Sequence, residues 1–277
     1  ACALLGQVVA TDQTDLAFRA LRSWMQESAA NRRWTDIAEW LAVLNAAGVE
    51  VAAEILGTPV AAAQAKRRAV HAYREVISRR LDLLSLSALT PGLGDVRVDD
   101  LLKDWQVRLE SESSPVNLVR VARRNTRFVL TGLPGLGKSE ALRQLAAYLA
   151  SDAEAPVPIL IDLKESLSVV HAGEAITLDS LLRQAANTVA GIDPVVTTAA
   201  LREVVFSGNA VVIVDGLDEA RSRRGHVAGQ LARIVQDLPQ ATGFILSTRP
   251  SALDAAHQLG LPTVDLESPK SLDRSLP

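Results

Sequence analysis

The run Gly132-Leu-Pro-Gly-Leu-Gly-Lys-Ser139 fits G-x-x-x-x-G-K-[ST], a spacing suited to holding a chain of phosphates. Each residue type has a task in that chemistry. Glycine reaches backbone angles closed to other residues, so at Gly132, Gly135 and Gly137 successive N–H groups can turn inward. The N–H groups of Gly135, Leu136, Gly137 and Lys138 would wrap a β-phosphate. The Lys138 ammonium would reach the β- and γ-phosphates as a point charge. The Ser139 hydroxyl would ligate a Mg²⁺ ion that bridges the same two phosphates. Pro134 stiffens the loop and donates no N–H. Glu140 opens the next helix, whose positive end adds to the field. The competing reading is a Gly-rich turn that merely matches the pattern.

A second set of residues lies downstream in Ala210-Val-Val-Ile-Val-Asp-Gly-Leu-Asp-Glu219. Five apolar residues ending in Asp215 read as a buried strand with a carboxylate at its exit, placed to meet the Mg²⁺. Asp218 and Glu219 follow within one short turn. A carboxylate there can hold or deprotonate an attacking water. The alternative for that pair is a polar turn with no catalytic role. A third apolar run, Gly243-Phe-Ile-Leu-Ser-Thr-Arg-Pro250, ends in Ser247, Thr248 and Arg249, and Arg249 could sense the γ-phosphate.

These side chains meet only if strands bring them to one edge. Arg127–Thr131 is an apolar, β-leaning run, and residues 140–149 read as a helix, so the glycine loop has strand, loop, helix context. Val157–Asp162, Ala210–Val214, the run Gly243–Pro250 with its polar end, and Thr263–Leu266 supply further strands. Helices are expected near Leu178–Val189, Val195–Phe206 and Gly225–Leu238. Alternating strands and helices predict an α/β fold with a parallel sheet flanked by helices, preceded by a small all-α region. In such sheets ligands bind outside the carboxyl ends of the strands.

Composition narrows the class. A hydrophobic fraction of 48% over 277 residues is enough for a sizeable core. The net charge of −3 gives no global basic field for nucleic acid, and aromatics at 4% leave little for stacking on single strands. Cys2 is the single cysteine, which excludes an internal disulfide framework and a multi-cysteine metal site. This fits a reducing compartment, and a cytoplasmic location is expected. Residues 1–10 are apolar but too short to span a bilayer and lack a basic leader, and no membrane span is expected elsewhere.

Residues 1–84 read as a helical, adaptor-like region. Helices are expected at Asp15–Ser28, at Thr35–Ala47 with Gly48 as a stop, and over a short Val49–Leu56. Thr58 as N-cap and Pro59 at the first position predict a longer helix from Pro59 to about Leu83. Lys66, Arg67, Arg68, Arg79 and Arg80 read as a solvated face beside a seam of Val70, Tyr73, Val76, Ile77 and Leu81. Residues 85–125 read as a connector: a turn-rich start, a short extended piece near Val96, a loose Glu110–Pro115, and a helix from Val116 to Asn125. Arg123 and Arg124 read as surface charge. Residues 126–277 form the core domain, with a polar tail from Glu267.

Together, Gly132–Ser139, Asp-Gly-Leu-Asp-Glu at 215–219 and Ser-Thr-Arg-Pro at 247–250 resemble a NACHT domain, of the STAND class of signalling NTPases related to AAA+ ATPases. The distinctive point is Gly216 after Asp215, with acidic residues two places further on, where ordinary AAA+ enzymes carry Glu directly after the Asp. The resemblance implies an ATP- or ADP-bound, Mg²⁺-dependent switch with slow hydrolysis. It also implies homo-oligomerisation in an active state, a protein trigger or effector, and a part in antiviral defence or innate immunity, in a prokaryotic setting. The family's helical segment and winged helix have no counterpart in residues 250–277, so the chain is expected to be a fragment or a shortened member. Two other readings stay open: an AAA+-like remodelling ATPase, and a non-hydrolysing interaction module that nucleotide only stabilises.

Overall fold

The computed structural model describes residues 53–79, 83–84, 96–97, 105–109, 112, 114–124, 127–169 and 175–267. The expected helices at Asp15–Ser28 and Thr35–Ala47, and the tail beyond Glu267, lie outside the described residues. The chain divides into two compact units, Ala1–Arg68 and Ala69–Pro277.

The second unit is built on a seven-stranded sheet. Its strands are β3 (Gln106–Leu109), β4 (Val116–Asn117), β5 (Arg127–Thr131), β6 (Val157–Asp162), β7 (Ala210–Asp215), β8 (Gly243–Thr248) and β9 (Thr263–Leu266). The short β1 (Leu83–Leu84) and β2 (Val96–Arg97) pair with each other, antiparallel, apart from this sheet. The order across the sheet is β4-β3-β9-β5-β8-β7-β6. The five strands from β9 to β6 are parallel, and β3 and β4 add an antiparallel margin. Three of the five parallel strands have the bounds the sequence predicts; β7 runs one residue further, to Asp215, and β8 takes Gly243–Thr248 of the run Gly243–Pro250. Their apolar residues are buried on both faces: Val211 to Val214 and Phe244 to Leu246 are at most 2% exposed. Continuous apolar strands of this kind need helices on both sides.

The helices are α1 (Ala53–Arg79), α2 (Leu118–Arg124), α3 (Lys138–Ser151), α4 (Leu163–Val169), α5 (Leu178–Ala186), α6 (Pro194–Phe206), α7 (Arg224–Asp237) and α8 (Leu253–Ala256). Helix α3 buries Ala141, Leu142, Leu145, Ala146, Leu149 and Ala150. That i, i+3/i+4 stripe is what an amphipathic helix lays on a sheet. Helix α5 starts on a Thr177–Ser180 capping box, and α6 on an Asp193 cap with Pro194 in the first turn.

Three differences from the sequence reading have physical reasons. Helix α1 begins at Ala53 and runs through Pro59. Proline removes one backbone donor, but helix formers on either side join the two expected helices into one. The stretch expected as a helix from Val116 opens instead as strand β4. Its pairing with β3, and β3 with β9, outweighs local propensity. Helix α4 lies where no helix is expected; Asp162 starts it, its carboxylate accepting from Lys164 N at 2.8 Å.

The second half of α1 packs within the sheet unit through Ala69, Tyr73 and Ile77, all buried. Strand β6 is a sheet edge, and Leu160 N donates to the Tyr73 hydroxyl at 3.1 Å. Arg74 donates to the Leu149 and Asp152 carbonyls at 3.1 and 2.9 Å, and to Ala155 O, closing the end of α3. Burial pushes the Arg74 guanidinium below its ordinary value, against the pull of Asp152. Arg123 also lies at this end, on the Tyr148 hydroxyl and Asp152, at the opposite end of α3 from the glycine loop that opens it.

Candidate nucleotide site

Strands β5, β6, β7 and β8 all end at one edge of the sheet. The register shows how their ends line up: Thr131 is level with Thr248, Leu130 with Ser247, Val214 with Leu246, and Asp162 with Asp215. The glycine loop leaves β5 and enters α3, so the first residue of α3 is Lys138. Gly135 and Gly137 have φ of 81° and 83°. These are left-handed angles that favour glycine, as the inward-turned loop requires.

A cavity of about 380 Å³ opens at this edge. The loop contributes Pro134, Gly135, Gly137, Lys138, Ser139 and Glu140 to its wall. Opposite them stand Asp215, Asp218, Glu219 and Arg249. Two residues of the proposed nucleotide set do not line it. Gly132 presents its carbonyl to Lys138, and Leu136 is packed against the core. Asp162, Lys164, Arg143, Gly216 and Ser247 also line the cavity; the sequence reading singled out Gly216 and put Ser247 at this edge but gave none of the five a role in the site. Asp162 carried a usable signal, a carboxylate ending an apolar strand, the same pattern as Asp215.

Lys138 folds back over its loop. Its Nζ donates to Gly132 O at 2.8 Å and Leu133 O at 3.2 Å. Burial pushes the ammonium below the ordinary lysine value of 10.5; Asp218 and Asp215 oppose the fall, and Arg249 adds to it. The charge is thus held by weak carbonyl acceptors, which a phosphate oxygen can replace with a stronger, charge-assisted bond.

After Asp215 the backbone turns sharply. Gly216 has φ 91° and ψ 53°, and a 3₁₀-helix, Leu217–Arg223, follows. This turn sets Asp218 and Glu219 a step beyond Asp215. Arg249, just past β8, meets both: Nε is 2.7 Å from Asp218 Oδ2, and a terminal nitrogen is 3.9 Å from Glu219 Oε1. Asp218 is only 13% exposed in its side chain, while Arg249 is 46% exposed. A half-exposed guanidinium contributes little to stability through such a pair but remains available to an incoming anion.

The donors suit a cation that arrives on a phosphate chain. Among the described residues no group of three or more His, Cys, Asp and Glu side chains could hold a metal alone. Asp215 and Ser139 offer one carboxylate and one hydroxyl to the same cavity. Mg²⁺ typically takes one or two protein oxygens and completes its octahedron with phosphate and water.

A phosphate loop between β5 and α3, an acidic exit from β7 and a strand inserted between them define a P-loop NTPase. A NACHT domain model matches residues 126–269, more than half of the chain, and the chain belongs to the NACHT family. NACHT domains are nucleotide-binding NTPases. No curated protein matches the chain. Among the described residues no helix is long and apolar enough to cross a membrane.

Proposed function

We propose that the protein is a nucleotide-controlled switch that binds ADP or ATP with Mg²⁺, turns ATP over slowly, and changes its assembly with the nucleotide held. The observation that carries this is the ion pair of Arg249 with Asp218 in the lining of a cavity that Lys138 and Asp215 also line.

The residues divide the work. The loop from Gly132 to Glu140 takes the phosphate chain, and Lys138 trades its two carbonyls for phosphate oxygens. Ser139 and Asp215 would hold Mg²⁺, whose chemistry there would be to offset negative charge on the phosphate chain. With ADP, Arg249 stays on Asp218. With ATP, the γ-phosphate competes for Arg249 and releases the carboxylates. A released Asp218 or Glu219 orients water and takes its proton as the water oxygen attacks the γ-phosphorus and ADP leaves. Turnover is slow because the γ-phosphate and the two carboxylates compete for Arg249, so that a carboxylate is free for only part of the time that ATP is bound. The same exchange gives the two states different affinities for the two nucleotides, which any ligand-driven switch requires.

On this reading the active state is a homo-oligomer in the cytoplasm, set off by a protein trigger and acting in defence signalling. Residues 1–84 are the adaptor, 85–125 the connector and 126–277 the switch core. The test is sedimentation of the full chain with Mg²⁺ and ADP or a slowly hydrolysed ATP analogue, beside steady-state turnover. A nucleotide-dependent change of mass with slow turnover supports the switch. Fast turnover at constant mass replaces it with a remodelling ATPase.

A further inference from the structure

We infer that Ser247 is the positioning residue for the Asp215 carboxylate, and through it for the divalent cation. This rests on the nucleotide reading above and adds a residue to it.

Ser247 is 1% exposed, so its hydroxyl has protein partners or none. A serine hydroxyl carries one proton and two lone pairs. The N–H of Gly216 donates to Ser247 Oγ at 2.8 Å. The hydroxyl proton goes to Asp215 Oδ1. One buried hydroxyl therefore serves two groups on the neighbouring strand: it accepts from the first N–H beyond β7 and it holds one oxygen of the carboxylate at the end of β7.

The arrangement follows from the sheet. Strand β8 lies between β5 and β7, with Leu246 level with Val214. The next residue on each strand is Ser247 and Asp215. Gly216 takes its left-handed turn at this point, which sends its N–H across to β8. Without the hydroxyl, that N–H would lose its partner and the carboxylate would be free to rotate about its side-chain bonds.

Rotation matters because Mg²⁺ demands near-octahedral geometry with oxygens at about 2.0–2.1 Å. A ligating carboxylate pinned through one oxygen presents the other in a fixed direction. Loss of such an outer partner typically lowers metal affinity by about 10- to 100-fold. Neither hydrogen bond of the Ser247 hydroxyl goes to the phosphate loop, so binding of the nucleotide alone should not depend on it.

The test is calorimetric titration of the full chain with ADP, in Mg²⁺ and in EDTA, for the unaltered protein, Ser247→Ala and Ser247→Thr. The expected result is a Mg²⁺-dependent gain in affinity that drops about tenfold in Ser247→Ala and returns in Ser247→Thr, which keeps the hydroxyl. Binding in EDTA stays within about twofold across the three. That EDTA measurement also shows that the alanine variant is folded. An undiminished gain in Ser247→Ala, or equal losses with and without Mg²⁺, overturns the role. Absence of any Mg²⁺-dependent gain in the unaltered protein overturns the metal reading itself, a result distinguishable from the other two.

Discussion

Trp105 closes against Gly137: a methyl group in place of the Gly137 hydrogen would lie 2.7 Å from the far carbon of the indole, Cη2. The indole N–H donates to Gln144 Oε1 at 2.7 Å, and Gln144 in turn donates to Glu140 Oε1 at 3.0 Å. A residue just before β3 is thereby fastened to the first two turns of α3.

Gly137→Ala meets two obstacles, the φ of 83° and the indole. It should destabilise the chain by about 1–3 kcal/mol, and nucleotide binding should fall with it. Adding Trp105→Leu removes the clash but leaves the backbone cost, so the double variant should recover part of the loss. Denaturant unfolding of the two single variants and the double variant measures the coupling. Strict additivity would show that the contact carries no energy.

The depressed Lys138 pKa gives a pH dependence with a definite sign. Bound phosphate favours the charged ammonium, so nucleotide binding draws a proton wherever the free protein has lost one. Affinity for Mg²⁺·ADP should hold near neutral pH and fall as pH rises through the lowered value, below the ordinary 10.5. Lys138→Arg should remove the fall, because a guanidinium keeps its proton. A profile flat up to 10.5 in the unaltered protein would count against the burial effect.

Asp218→Asn combined with Glu219→Gln should spare nucleotide binding and lower turnover by about 10²- to 10⁴-fold, the span of general-base contributions. Freed from its carboxylates, Arg249 should also prefer ATP over ADP more strongly than before. Competition binding of the two nucleotides reads that change. Unaltered hydrolysis would remove the catalytic role from this pair.

Arg221 stands at φ 50° and ψ −119°, the one described non-glycine residue at positive φ. Such backbone costs about 1–3 kcal/mol for a residue with a side chain. Its carbonyl accepts from Arg224 Nε at 2.9 Å, a bond that glycine would keep. Arg221→Gly relieves the strain, and the greater freedom of glycine when unfolded offsets part of the gain. A net stabilisation of about 1 kcal/mol is expected, visible as a rise of about 2–4 °C in the melting temperature. A fall would show that the Arg221 side chain contributes more than its backbone costs.

How much of this was legible depended on range. The parallel strands were readable, four of them with bounds within a residue, because Ala210–Val214 and Phe244–Leu246 are unbroken apolar runs. The phosphate loop and the Asp215 to Glu219 segment were readable because the chemistry is local in sequence. Strand β3 was not, since Gln106-Val-Arg-Leu109 has too few apolar residues to signal a strand without its partner β9. Helix α4 was hidden by its seven-residue length and its serines. Ser247 was placed at the correct edge, but its two hydrogen bonds depend on β8 lying beside β7, which no local pattern reveals. Trp105 against Gly137 is a contact of the same long-range kind.

The central claim is that Lys138 and the loop around it hold a nucleotide phosphate chain. Titration of the full chain and its Lys138→Ala variant with ADP and ATP in Mg²⁺ tests it most directly. The unaltered protein should bind both, and the variant should lose roughly 100-fold, since a charge-assisted contact contributes up to about 3 kcal/mol. Equal affinity in the two proteins, or no binding in either, would contradict the account.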